Sequence, residues 1–288
     1  MRRVDVIAAV RDEEATLPRF VERVRALPLP DDVELGFVFV EDSSRDGTLP
    51  LLRALAAADP GIGFYSLEEG HGQGPAIVFG LARSRADAAI LMDVDGSHPP
   101  EVIPRLIELH RQGAGVVQCV RRRLRARRLH RRIGTALFQR FASWWIRVDL
   151  AEQSIYYRLV SRSFADRLVD DPRTWRFLRF PLPREPGALA TIEVDSVERE
   201  TGQSKYGTLR LVRLALDAML SLMPPDRVAL ALAGAALSIG LAIGSGLWPV
   251  ALVVVAGTGL LARRYRALRR ADGLDRIRVR ESANVPAA

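Results

Sequence analysis

From Val228 to Ala262 the chain carries no charged residue, and this run constrains the fold more than any other feature. It is far longer than the roughly 20 residues that one helix needs to cross a bilayer, and shorter than two ideal spans joined by a long loop. Gly244-Ser245-Gly246-Leu247-Trp248-Pro249 divides it with turn-forming residues and a tryptophan suited to a membrane interface. The sequence therefore predicts a tight hairpin of two short transmembrane helices over 226–264. The alternative, a buried helical hairpin of a soluble protein, rarely needs so long a charge-free run. Arg210, Arg213 and Arg227 precede the hairpin, while Arg263, Arg264, Arg266, Arg269 and Arg270 follow it. The positive-inside rule then puts both ends in the cytoplasm, as in a multi-pass protein of the cell's inner or plasma membrane. In the juxtamembrane segment 207–225, Arg210, Arg213 and Asp217 share one stripe of an otherwise apolar helix that Pro224-Pro225 stops. That pattern fits a helix lying in the interface, with a packing helix of the soluble part as the alternative. The tail 265–288 lacks a period after Asp272 and is expected to be loosely ordered.

The remainder is long enough for one sizeable domain, 1–206. With 48% hydrophobic and 26% charged residues among 288, the chain is neither disordered nor fibrous. Its one cysteine, Cys119, excludes an intramolecular disulfide and a zinc site built on cysteine pairs. The net charge of +8 allows nucleic acid, an anionic membrane or a phosphorylated substrate.

Before residue 200 the pattern alternates. Val4–Val10, Leu35–Val40, Ile62–Leu67, Ala88–Met92 and Gly115–Cys119 read as short strands, and Glu14–Leu27 and Thr48–Ala58 as helices between them. This is an α/β pattern: a mostly parallel, Rossmann-like sheet with helices on both faces and its ligand crevice at the carboxyl ends of the strands. The turns there are rich in carboxylates. Glu41-Asp42-Ser43-Ser44-Arg45-Asp46-Gly47-Thr48 follows the second strand, and Asp93-Val94-Asp95-Gly96-Ser97-His98-Pro99-Pro100-Glu101 follows the fourth. Two carboxylates one residue apart at a strand end are hard oxygen ligands for Mg2+ or Mn2+ bridging to a diphosphate. Gly70-His71-Gly72-Gln73-Gly74-Pro75 is either a close approach to a ligand or a plain turn.

These turns, with Ala8-Ala9-Val10-Arg11-Asp12-Glu13-Glu14 and Arg199-Glu200-Thr201-Gly202-Gln203-Ser204-Lys205-Tyr206, resemble the family-2 glycosyltransferases of the GT-A fold. Within that family the chain is similar to the polyprenyl-phosphate branch, which includes dolichyl-phosphate mannose synthases and bactoprenol glucosyltransferases. The resemblance implies a metal-dependent, inverting transfer of a hexose from a nucleotide sugar, UDP- or GDP-linked, to a polyprenyl phosphate at a membrane. It leaves a homo-oligomer open. It assigns donor binding to Asp12, Glu14, Glu41, Asp42, Asp93 and Lys205, with Glu41 and Asp42 on the base and ribose. Metal binding falls to Asp93 and Asp95, and catalysis to Asp95, Arg132 and Lys205. The acceptor phosphate falls to Arg121, Arg132, Thr135, Arg199 and Ser204. The arginines crowding 121–132 and the following aromatic residues would also mark a nucleic-acid patch, but a membrane hairpin accounts for both, so no nucleic-acid partner is expected. Three positions depart from the family pattern: Asp12 for asparagine, Ser97 for a glutamine at the metal, and Tyr156 for an aspartate before an aromatic-Arg pair. The last two favour the rival expectation, a catalytically silent GT-A domain that acts as a membrane-tethered partner in lipid-linked sugar assembly.

Overall fold

The structure, a computed structural model, describes residues 2–121, 140, 154–170, 189–194, 225–245, 247–269, 274 and 277–285. The chain divides into two compact units, one of residues 1–126, 152–203 and 272–288, the other of 127–151 and 204–271.

The first unit is built on an eight-stranded sheet: β1 (Arg3–Val10), β2 (Glu34–Glu41), β3 (Ile62–Leu67), β4 (Ala88–Leu91), β5 (Val116–Arg121), β6 (Ser154–Ser161), β7 (Leu189–Val194) and β8 (Val279–Ala283), in the order β7-β5-β6-β4-β1-β2-β3-β8. Four of its seven neighbouring pairs are parallel, and β6 and β8 run against their neighbours, so the expected mostly parallel sheet is present with two antiparallel additions. The central strands read as continuous apolar runs because both faces are covered. One face carries Val4, Val6, Ala8, Val10, Phe37, Phe39 and Ile90 into the main core. There they meet α1 (Leu17–Arg25), α2 (Thr48–Ala58) and α4 (Ile103–Arg111). In α1, Leu17, Phe20, Val21 and Val24 are buried at helical spacing while the arginines between them face water. The opposite face is covered by α3 (Gln73–Arg83) and α5 (Arg162–Asp170). A β-carbon on Gly80 of α3 would lie 2.9 Å from Val40 and 3.0 Å from Ile7, so only glycine lets this helix settle on β1 and β2.

The tail departs from expectation. Instead of being loosely ordered after Asp272, it forms β8, antiparallel to β3, with Phe64 opposite Ala283, Tyr65 opposite Ser282 and Ser66 opposite Glu281. Backbone pairing to an open edge supplies the order that a segment without hydrophobic period lacks on its own.

In the second unit, α6 (Pro225–Gly244) and α7 (Trp248–Arg269) pack against each other. Both helices were expected; the membrane crossing is not met. Among the described residues, no helix is long and apolar enough to cross a membrane. The uncharged part of α6, Val228–Gly244, rises only about 25 Å and that of α7, Trp248–Ala262, only about 22 Å, against a hydrocarbon core of about 30 Å. The helices nonetheless turn apolar side chains outward, with Leu237 66%, Val253 72% and Leu260 69% exposed. Of the segment 207–225 expected in the interface, residues 207–224 lie outside the described residues, and Pro225 opens α6.

Candidate active site

The carboxylate-rich turns meet at the carboxyl ends of β1, β2, β3 and β4. After β2 the chain passes through Ser43 at φ 61°, and after β1 through Asp12 at φ 56°, left-handed conformations that cost energy without glycine and persist where surrounding contacts fix them. Those contacts are mutual. The Asp12 N–H donates to the Ser44 hydroxyl at 3.1 Å, and the Arg45 N–H returns a bond to Asp12 Oδ1 at 2.8 Å. Glu14 Oε2 accepts from the Gly47 N–H at 2.9 Å, while the Glu14 N–H donates to Asp46 Oδ2 at 3.2 Å. Asp46 also receives the Thr48 N–H and hydroxyl, at 3.0 and 2.6 Å. Burial alone would raise the Asp46 pKa, but these bonds from Thr48 and Glu14 outweigh it and hold the carboxyl below its ordinary value.

Glu41 and Asp42, the expected nucleotide ligands, are buried and bonded to the chain itself. Glu41 Oε1 accepts from the Ser44 N–H, and Oε2 accepts from the Ser66 hydroxyl at 2.6 Å. Asp42 Oδ1 accepts from the His71 N–H at 2.6 Å and Oδ2 from the Gly72 N–H at 2.9 Å, with an Arg11 guanidinium nitrogen 3.7 Å away. Desolvation nevertheless raises the Asp42 pKa, outweighing those two bonds and the arginine. The ambiguous glycine segment is thus a fastened loop: Gly72, at φ 89°, lets two successive N–H groups turn onto one carboxylate.

After β4 comes the paired-carboxylate turn. Asp95 Oδ1 accepts from the Ser97 N–H at 3.0 Å across Gly96, at φ 80°. Asp93 lies between two side chains that sequence reasoning had not assigned. Gln73 Nε2, at the start of α3, donates to Asp93 Oδ1. The Asp93 N–H donates to His98 Nδ1 at 2.8 Å, and His98 Nε2 stands 3.9 Å from Asp93 Oδ2. The His98 ring is buried and stacks on Tyr157, 5.2 Å between centroids. The Tyr157 hydroxyl in turn donates to the Pro99 carbonyl at 3.0 Å, and burial pushes its pKa well above the usual phenol value. A polar residue directly after Gly72, and a histidine inside the second turn, were the available signals for Gln73 and His98.

Tyr156 and Arg158 are buried on β6, where Arg158 pairs with Leu91 in register. The antiparallel register brings Tyr156 toward the same end of the sheet as Asp93. Burial lowers the Arg158 pKa to about 10, which leaves the guanidinium charged at neutral pH. Arg121 closes β5 opposite Val194 of β7. Arg132, Thr135, Arg199, Ser204 and Lys205 lie outside the described residues.

The Glycosyl transferase family 2 model matches residues 5–181. The chain is 30% identical over 226 residues to the bactoprenol glucosyl transferase of Shigella phage SfX, covering 76% of this chain and 72% of that protein. It is 30% identical over 256 residues to an undecaprenyl-phosphate 4-deoxy-4-formamido-L-arabinose transferase of Pseudomonas aeruginosa, covering 88% and 73%. Glucosyl-3-phosphoglycerate synthase from Mycobacterium tuberculosis, solved with Mn2+, UDP-glucose and phosphoglyceric acid, aligns with a TM-score of 0.51 at 17% identity over 77% of this chain and 78% of that one. That likeness concerns the GT-A-like fold alone. Sequence and architecture agree: the chain belongs to glycosyl transferase family 2.

Proposed function

We propose that this chain transfers a hexose from a UDP- or GDP-linked donor to a polyprenyl phosphate, with inversion, at the cytoplasmic face of the inner or plasma membrane. The observation that carries the reading is the Asp93–Ser97 turn, braced by Gln73 and His98 beside the loop that Asp42 fastens. The names of the phage and bacterial relatives, one a bactoprenol glucosyl transferase and the other an undecaprenyl-phosphate transferase, support the acceptor class.

The residues fit a divalent cation. Asp93 and Asp95 offer hard oxygens around a glycine turn, and among the described residues no group of three or more acidic, histidine or cysteine side chains could hold a metal unaided. A magnesium-like ion bound by one or two carboxylates, with substrate phosphates and water completing its shell, matches that donor set. When bound, the ion would neutralise charge on the departing diphosphate. His98 and Gln73 fix Asp93 for this role, and the Ser97 N–H orients Asp95. A phosphate monoester has a second pKa of about 6, so the acceptor can attack as a dianion without a protein base. The aspartate's replacement by Tyr156 is compatible with that chemistry. The outward-facing leucines and valines of α6 and α7 suit a hairpin that dips into the bilayer from one side.

Incubating detergent-solubilised protein with UDP- and GDP-sugars, Mn2+ and a polyprenyl phosphate tests the reading. Formation of a glycosyl phospholipid of inverted anomeric configuration is expected, and absence of transfer from every donor would overturn it. One observation favours the silent alternative: Tyr156, buried at the site end of β6. Transfer by wild type and Tyr156→Asp across a pH series separates the two. The enzyme reading expects wild-type turnover that falls below about pH 6 and little gain from the aspartate; activity confined to Tyr156→Asp would establish the silent one.

A further inference from the structure

We propose that the C-terminal strand β8 is a positioning element of the donor site, holding loop 68–73 where it receives the nucleoside diphosphate; this rests on the functional reading above. The link is continuous. β8 runs along β3 to its carboxyl end, and beyond Leu67 the Glu68 N–H still donates to the Arg278 carbonyl at 3.1 Å. An Arg280 guanidinium nitrogen reaches the Glu68 carbonyl at 3.4 Å. Within five residues of Glu68 come the His71 and Gly72 N–H groups on Asp42 and the Gln73 amide on Asp93. The loop is therefore held on one side by site carboxylates and at its root by the tail.

The tail is fastened independently at its far end. Arg53 of α2 forms a two-pronged pair with Glu281, from 2.6 to 3.1 Å. The Asn284 amide donates to the carbonyls of Ala56, Asp59 and Ile62, where α2 ends and β3 begins. A β-carbon on Gly63 would come within 2.7 Å of the Asn284 carbonyl oxygen, so β3 carries a glycine where the tail passes close to it. Ser66, opposite Glu281, donates its hydroxyl to Glu41, which ties the same edge to the turn after β2. The tail also meets the main core, which takes Ile62 and Phe64 from β3 and has Ala283 of β8 packed against it, so stability and donor affinity must be read separately.

The test uses the full chain with Glu281→Arg, Arg53→Glu, the two combined, and Asn284→Asp, which keeps the side-chain shape while setting a carboxylate against three carbonyls. Breaking a surface ion pair costs at most about 1 kcal/mol, so the Arg53 and Glu281 variants remain folded, and the melting temperature of Asn284→Asp is measured beside its affinity. The expected result is faster amide exchange in residues 68–73 and weaker UDP or GDP binding in the presence of Mn2+, by about fivefold, in Glu281→Arg and Asn284→Asp. Turnover at saturating donor and the acceptor KM should stay near wild type, and the swapped pair Arg53→Glu/Glu281→Arg should recover nucleotide affinity. A strand that only stabilises the sheet would lower the melting temperature without moving donor affinity. Unchanged loop exchange and nucleotide affinity while β8 itself exchanges freely would overturn the proposal. If wild type bound neither nucleotide, the functional reading would fall, and loop exchange alone would decide whether β8 positions the loop.

Discussion

The turns after β2 and β4 look alike in sequence, each a run of acidic and small residues leaving a buried strand, yet the protein uses them differently. After β2, Glu41, Asp42 and Asp46 spend their oxygens on Ser44, Ser66, His71, Gly72, Thr48 and Glu14. After β4, Asp93 is braced through one oxygen and its own N–H, while among the described residues its second oxygen is met only by His98 Nε2 at 3.9 Å. The first turn builds the floor of the site. In the proposed function the second offers Asp93 and Asp95 to a divalent ion. A carboxylate already accepting two N–H bonds is an anchor, and replacing it costs structure before it costs chemistry.

The sharpest way to break this contrast is to neutralise one carboxylate in each turn. Asp95→Asn is expected to lower transfer by about a hundred- to a thousandfold with an unchanged melting temperature, because it removes charge from a ligand-facing turn and not from packing. Wild-type-like transfer that still requires metal would remove Asp95 from the site. Asp42→Ala should invert the pattern, losing about 2 kcal/mol of stability and exposing the His71 and Gly72 amides to exchange. Should Asp42→Ala instead keep full stability and lose only nucleotide binding, Asp42 would be a direct ligand and the contrast would collapse.

Finer tests address the brace. His98→Phe retains the stack on Tyr157 but removes the acceptor for the Asp93 N–H, while His98→Asn offers an oxygen where Nδ1 stood. We expect His98→Phe to raise the Mn2+ concentration for half-maximal activity about fivefold and His98→Asn to recover most of that loss, since one buried hydrogen bond is worth about 1 kcal/mol. Equal defects in both would assign the ring's role to packing. The smallest effect expected is none. Cys119 is wholly buried and burial pushes its thiol up to about 12, so iodoacetamide at about pH 8 should leave the folded protein unlabelled and modify it only on unfolding.

The five strands expected from sequence match β1–β5 closely, because parallel strands covered on both faces leave unbroken apolar runs. β6 escaped notice since Arg158 interrupts its pattern, and a buried guanidinium is visible only once the neighbouring strands are in place. β8, reading Val279-Arg280-Glu281-Ser282-Ala283, has no hydrophobic period and owes its order to the edge it covers. At the site, the acidic turns were legible as motifs, whereas the division of labour between them was not. Gln73 reaches Asp93 from 20 residues away, and His71 and Gly72 reach Asp42 from 29 and 30. Such contacts depend on topology and leave no local spacing to read.

The late arrival of β8 also bears on how the protein is made. Arg53 and Glu281 lie 228 residues apart, so the outer edge of β3 is synthesised long before the strand that covers it. At about 5 to 20 residues per second, the ribosome leaves that edge bare for roughly ten seconds or more, during which the hairpin must also emerge. An uncovered edge is a template for pairing with another chain. Newly made copies are then most prone to stick to one another in this interval, and a lasting failure to deliver the tail would show itself first as poor yield of intact protein.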